Sequence, residues 1–257
     1  MQKIVLQAKG VTKRFGGITA LENAELEVRE GEVHALVGAN GAGKSTLIKI
    51  ITGAYTNDEG HIYLDGKEVS IKSTFDARAL GISAVYQEFS LINTVSVAEN
   101  IYMGKLLYNN LGPVPRVDWK KMKEETQKVL DSLGVKNIKP ETIVGRLSVA
   151  QKQMVEIAKA LSNKLKVLIM DEPTASLSDN EIENMFQIIR DLKSKGISII
   201  YVSHRLEELP VICDRISVYR DGHYIKTLNI EDAPKQVIIE NMVGKNMTVT
   251  EQVKCYT

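Results

Sequence analysis

Eight consecutive residues, Gly38-Ala39-Asn40-Gly41-Ala42-Gly43-Lys44-Ser45, match the spacing G-x-x-x-x-G-K-[ST]. Phosphate is anionic and crowded with oxygens, so a backbone that binds it must come close and offer N–H groups. Glycine permits both the close approach and the positive φ angles that this needs. A helix beginning near Lys44 would aim its first N–H groups and its dipole at the same anion. Gly38, Asn40, Gly41, Ala42, Gly43, Lys44, Ser45 and Thr46 are therefore read as a phosphate cradle. In it, Lys44 reaches the β- and γ-phosphates and the Ser45 hydroxyl ligates Mg2+. ATP and Mg2+ are the expected cofactors.

Three further signals sit at the ends of apolar runs. Val167-Leu168-Ile169-Met170 leads into Asp171-Glu172. An acid at the end of a buried strand brings a carboxylate to Mg2+ in phosphate-loop enzymes, and Asp171 suits that role. Glu172 points elsewhere and suits the polarising of an attacking water as a general base. The competing reading is that both acids merely open the next turn. His204 follows ISIIYVS, where it can reach a γ-phosphate or the water; a structural histidine is the alternative. Gln87 follows ISAVY, and its neutral amide can ligate Mg2+ or sense the water.

The elements that must position these groups are legible as patterns. IVLQAKGVT and AELEV alternate as half-buried strands, and VHALVG reads as a strand buried on both faces. STLIKIITG reads as a helix closed by Gly53, residues 61–71 as a hairpin around Asp65-Gly66, and 82–87 as a strand. From about 90 to 163 the helical period takes over in SVAENIYMG, DWKKMKEETQKVLDSLG and SVAQKQMVEIAKALSN, with breaks at Gly112-Pro113 and Pro115. Alternation of strand and helix then resumes through KVLIMD, SDNEIENMFQIIRDLKSKG, ISIIYVSH and RLEELPVIC. A hairpin turning at Asp221-Gly222 and a final helix, EDAPKQVIIENMVG, complete the pattern. Parallel strands joined by helices collect ligands at the strand C-terminal ends. The residues after VHALV, KVLIM and ISIIYV are thus expected to converge.

The bulk properties limit the partners. The chain has 257 residues, with 33 Lys plus Arg against 32 Asp plus Glu, a net charge of +1. No basic excess points to nucleic acid. The two cysteines, Cys213 and Cys255, have no metal or redox spacing and read as free thiols of a reducing compartment. No apolar run is long enough to span a bilayer, so any role at a membrane requires docking onto a protein that does span it.

The order of these motifs resembles the ABC transporter ATPase family from about residue 4 to 245. The likeness rests on the phosphate loop 38–45, Gln87, Leu147-Ser148-Val149-Ala150-Gln151, Asp171-Glu172-Pro173-Thr174 and His204. It implies an α/β fold: a P-loop NTPase core with a mostly parallel central sheet, an N-terminal antiparallel β-subdomain and an inserted α-helical subdomain. Core and β-subdomain would take 1–87 and 164–245, the helical insert 88–163, and a tail or linker 246–257. It also implies that Phe15 stacks on adenine, Gln87 serves as lid glutamine, Glu172 as catalytic base and His204 as switch histidine. Ser148, at an N-cap position, and Gln151 would cover the γ-phosphate held by a second ATPase domain, so that two nucleotides are clamped in a head-to-tail dimer.

Two departures stand out. Val149 and Ala150 replace the glycines of the common Leu-Ser-Gly-Gly-Gln, and Ser178 stands where the family usually has Asp. The first implies that the site fed by this helix end hydrolyses slowly or mainly binds. SVAQKQMVEIAKAL, DEPTASLS and NMVGK are nonetheless similar to the first ATPase half of ribose-, galactose- and xylose-type importers, which carry two such domains in one chain. An isolated N-terminal domain at the cytoplasmic membrane face is expected, with a natural single-domain subunit as the alternative, partnered by permease subunits and, indirectly, by a sugar-binding protein. A soluble ABC-type ATPase outside transport and a largely non-hydrolysing half of an asymmetric pair are the alternatives.

Overall fold

The structure is a computed structural model, and it describes residues 3–109 and 115–244. The break at Gly112-Pro113, Lys245, the tail 246–257 and Cys255 lie outside the described residues.

The chain opens with two twelve-residue strands, β1 (Ile4–Phe15) and β2 (Ile18–Arg29), paired antiparallel across Gly16-Gly17. The short strands read at 4–37 are thus longer and bulged: the register shifts repeatedly along β1, which lets one strand bend around the core. β3 (Val33–Gly38), buried along its whole length, runs into α1 (Lys44–Ile51). The hairpin β4 (Glu59–Leu64) and β5 (Lys67–Val69) extends the antiparallel part. A short helix not singled out in the sequence, α2 (Thr74–Ala79), is started by the Ser73 side chain accepting the Asp76 N–H. β6 (Ile82–Val85) ends two residues earlier than the apolar run suggests.

The helical stretch holds α3 (Val97–Tyr102), the antiparallel pair of two-residue strands β7 (Tyr108–Asn109) and β8 (Arg116–Val117), α4 (Trp119–Ser132) and α5 (Val149–Leu161). It has its own apolar cluster, including Val97, Ile101, Met122, Leu130, Val144 and Val155. The α5 face carrying Ile157 and Ala160 packs instead on the main core, so this helix bridges the two.

The remainder alternates as β9 (Val167–Asp171), α6 (Asp179–Ser194), β10 (Ser198–Val202), α7 (Leu209–Ile212), β11 (Arg215–Arg220), β12 (His223–Asn229) and α8 (Lys235–Val243). The segments expected as helices around 205–213 and 231–244 form shorter ones. Pro210 and Pro234 set where they start, since proline suits a first turn and no interior.

All these main strands form one ten-stranded sheet in the order β5-β4-β1-β2-β12-β11-β3-β10-β9-β6. β11, β3, β10, β9 and β6 are parallel; β1, β2, β4 and β5 are antiparallel, joined to the rest through a single pair, His223 with Glu22. Alternation along the parallel strands feeds two cores. Val33, Ala35, Leu168, Met170, Ile199 and Tyr201 face α6, α7 and α8. Leu36, Ile169, Ile200 and Val202 face α1 and the antiparallel strands. Burial on both faces is why these strands read as unbroken apolar runs. Cys213 is buried and free, and burial pushes its thiol up.

Candidate nucleotide site

β3, β9 and β10 lie side by side with β10 between the others, so their C-terminal ends open onto one edge. An open cavity of about 430 Å3 sits there, lined by Asn40 to Thr46, Asp171, Glu172, Val202 and His204, with Ile18, Thr19 and Ala20 as one wall. That volume falls within the usual range of small-molecule clefts.

The loop that forms its floor depends on close backbone approach. A Cβ on Gly38 would run into the carbonyl of Tyr219 on β11. Gly43, the N-cap of α1, has φ +92°, and a Cβ there would lie 2.7 Å from Leu21 Cδ1 and 3.0 Å from the Ala20 carbonyl. Both positions admit only glycine without displacement of neighbours. Lys44 is buried, and its ammonium donates to the carbonyls of Gly38 (2.7 Å) and Ala39 (3.1 Å). The charge therefore lies folded back over the loop it belongs to. Burial pulls the Lys44 pKa below the ordinary lysine value, against the opposing pull of Asp171 and Glu172.

Asp171 ends β9 half-buried. Burial first, then the adjacent Glu172, push its carboxyl above the usual range, while Lys44 and His204 act against that. Glu172 has φ +51°, uncommon for a residue with a side chain, and its N–H donates to the Val202 carbonyl at 2.9 Å. From this position the Glu172 carboxylate meets His204. Glu172 Oε1 lies 2.7 Å from His204 Nε2. A carboxylate beside an imidazole, facing a phosphate loop, is an arrangement able to orient and deprotonate a water.

Ser45 and Asp171 both line this cavity, which supplies the hydroxyl and carboxylate oxygens that Mg2+ takes beside phosphate oxygens. The donor set therefore fits Mg2+ bound with a nucleotide.

Five residues assigned by sequence stand apart from the cavity lining: Gly38, at the end of β3, and Phe15, Gln87, Ser148 and Gln151. Phe15 pairs across the β1–β2 turn with Ile18, a lining residue, and its exposed ring meets Tyr55 edge-on at 5.1 Å. Gln87 lies exposed, two residues beyond β6 rather than at its end. Ser148 caps α5: its Oγ accepts the Gln151 N–H at 3.3 Å, and Gln151 Oε1 accepts the Ser148 N–H at 3.0 Å. Val149 beside them is exposed. The wall residues Ile18, Thr19 and Ala20 were not foreseen. They belong to an ordinary strand and reach the site because β2 lies against the loop: Ala20 and Leu21 sit at Gly43, and Glu22 pairs with His223 of β12.

Comparison with known proteins bears on the fold and the family. The model of the ABC transporter family matches residues 21–175. The chain is 45% identical over 246 residues to the ribose import ATP-binding protein of Clostridium tetani, covering 96% of this chain and 48% of that protein. It is 43% identical over 249 residues to the xylose import ATP-binding protein of Geobacillus kaustophilus, covering 96% and 48%. It thus spans about half the length of the curated relatives it matches. Among solved structures, a nucleotide-free ATP-binding cassette of an ABC transporter superposes with a TM-score of 0.80 at 27% identity, covering 99% of both chains. A dimeric ATP-binding cassette bound to ADP and Pi gives 0.72 at 25% identity, covering 88% of this chain and 98% of that one. Motifs, sheet order and matches agree: this chain belongs to the ABC transporter family.

Proposed function

We propose that this chain binds and hydrolyses Mg-ATP as one ATPase domain of a monosaccharide importer, working head-to-tail with a second ATPase domain. One observation carries the reading: the phosphate loop 40–46, Asp171, Glu172 and His204 line a single cavity, with Glu172 paired to His204. In this reading Gly38 and residues 40–46 hold the phosphates and Phe15 stacks on the base. Ser45, Gln87 and Asp171 hold Mg2+, which would offset charge on the phosphates. Glu172 takes a proton from the attacking water. His204 holds Glu172 in place, and Lys44 turns from its own loop to the phosphates. Ser148 and Gln151 present the α5 N-terminus, an anion-binding end, to the nucleotide of the partner domain. Closure on ATP and release on ADP follow from losing the γ-phosphate contact.

Sugar import as the use of that energy rests on the ribose and xylose import relatives. Among the described residues no helix is long and apolar enough to cross a membrane. By likeness to those import proteins we place the chain at the cytoplasmic face, held by permease subunits that receive sugar from a binding protein. A groove of about 300 Å3 where α2, β6 and α5 meet offers the contact. Exposed Phe75 and Met103 beside Arg78, Lys105 and Lys159 suit an amphipathic permease helix bearing acids.

The test is Mg-ATP hydrolysis against protein concentration. A rate rising faster than linearly supports a dimeric ATPase. A strictly linear rate removes the head-to-tail site from the reading, and tight ATP binding without turnover favours a half that hydrolyses only beside a different partner domain.

A further inference from the structure

We propose that Glu208 is a positioning residue that holds the Glu172–His204 pair in register, an inference resting on the ATPase reading of that pair. Glu208 stands just before α7 and is buried. Its carboxylate accepts three hydroxyl hydrogen bonds: Thr174 Oγ1 to Oε1 at 2.8 Å, Tyr201 OH to Oε2 at 2.7 Å and Ser203 Oγ to Oε2 at 2.9 Å. Thr174, Tyr201 and Ser203 are themselves buried. A carboxylate is acceptor-only, so three rotatable hydroxyl donors suit it, and the Arg205 guanidinium lies 3.8 Å away. Burial and the Glu208 carboxylate both raise the Tyr201 phenol, which keeps it a donor.

The placement of the donors is the point. Thr174 lies two residues after Glu172, and Ser203 immediately before His204. The Ser203 hydroxyl also accepts the Arg205 N–H at 2.9 Å, fixing the turn on the other side of His204. One buried carboxylate thus ties the loop that carries Glu172 to the strand end that carries His204. The direct links between these segments are the Glu172–His204 pair itself and the bond from the Glu172 N–H to the Val202 carbonyl. Glu172 at positive φ is a conformation that persists only where its surroundings over-determine it. Glu208 supplies that constraint from behind, without lining the cavity.

The test compares Glu208→Leu, Glu208→Gln, Thr174→Val and Ser203→Ala with wild type, using Glu172→Gln as the reference for a lost pair. The first readout is the His204 ring resonance at one fixed pH, with His34, His61 and His223 as internal controls. The second is kcat against KM for Mg-ATP. Glu208→Leu and Thr174→Val are expected to move the His204 resonance towards its place in Glu172→Gln. They are expected to lower kcat about 10- to 100-fold with KM nearly constant, since misplacing a catalytic group costs turnover more than binding. Glu208→Gln, which keeps an acceptor and the side-chain length, should recover most of both. Should Glu208→Leu fail to fold, Thr174→Val and Ser203→Ala decide alone. A His204 resonance unchanged in the folded variants overturns the role of Glu208. Absent turnover in wild type would count against the hydrolysis reading only, because the ring resonance still reports whether Glu208 holds the pair.

Discussion

Glu172 Oε1 lies 2.7 Å from His204 Nε2, and the two residues come from the ends of neighbouring parallel strands, 32 positions apart in the chain. Glu172→Gln preserves shape but removes the proton acceptor. Turnover is expected to fall by roughly 10²–10⁴-fold, the range of general-base contributions. ATP affinity should stay within about twofold, since phosphate contacts come from residues 40–46. Steady-state turnover and equilibrium binding on the same preparation check this; wild-type turnover in the variant removes Glu172 from the base role.

Lys44 contributes a charge rather than packing, since its ammonium caps the carbonyls of Gly38 and Ala39. Lys44→Ala is expected to weaken ATP binding about 10- to 100-fold, from the loss of a charge-assisted hydrogen bond of about 1.5–3 kcal/mol. Titration calorimetry with ATP and ADP measures it. Unchanged affinity would contradict the phosphate-loop assignment.

Val149 and Ala150 occupy the first turn of α5, where glycine would free the backbone but weaken the helix. Replacing both by Gly should cost at most about 1 kcal/mol each, lowering Tm by roughly 4–8 °C. The same variant should dimerise more tightly with ATP, because no side chains hold the helix end back from phosphate. Thermal melts and sedimentation with ATP in the Glu172→Gln background test both halves. Weaker dimerisation than the parent would show that these side chains assist the contact.

Lys105, in the groove beside α5, donates to Ser162 and to Asn163 Oδ1. Burial, then Arg78 and Lys159, pull its pKa from 10.5 down to about 8. With the folded value below the unfolded one, the folded state binds fewer protons between these two values. Stability from this group therefore rises as pH climbs through that window, and burying the charge costs most below it. Lys105→Met is expected to raise Tm at pH 7, with the gain shrinking by pH 10. A gain independent of pH would mean that packing, not charge, sets the effect.

The phosphate loop and the acids of β9 were legible from sequence because their chemistry is local: Gly38 to Ser45 and Asp171-Glu172 each carry their signal within a few positions. Buried parallel strands were legible too, since burial on both faces leaves continuous apolar runs such as Val167–Met170. Strand ends were less so. Tyr86 and Gln87 continue the apolar-polar rhythm of β6, yet pairing with β9 stops at Val85, and only the partner strand decides that. The helix at Thr74–Ala79 is too short for a period to declare itself.

By itself, the sequence determined the chemistry on offer, the class of fold and the family, because spacing along the chain dictates loop geometry and strand burial. Only the tertiary structure decided that Glu172 meets His204, that Ile18 to Ala20 wall the cavity, and that Glu208 is buried beneath the pair. In RLEELPVIC, read from sequence as a short helix, Glu208 is one more acid beside Glu207 and carries no signal of its own. Its partners Thr174, Tyr201 and Ser203 come from two other segments, brought to it by the pairing of β9 with β10. Contacts between segments distant in sequence depend on sheet order and register, which one sequence does not state.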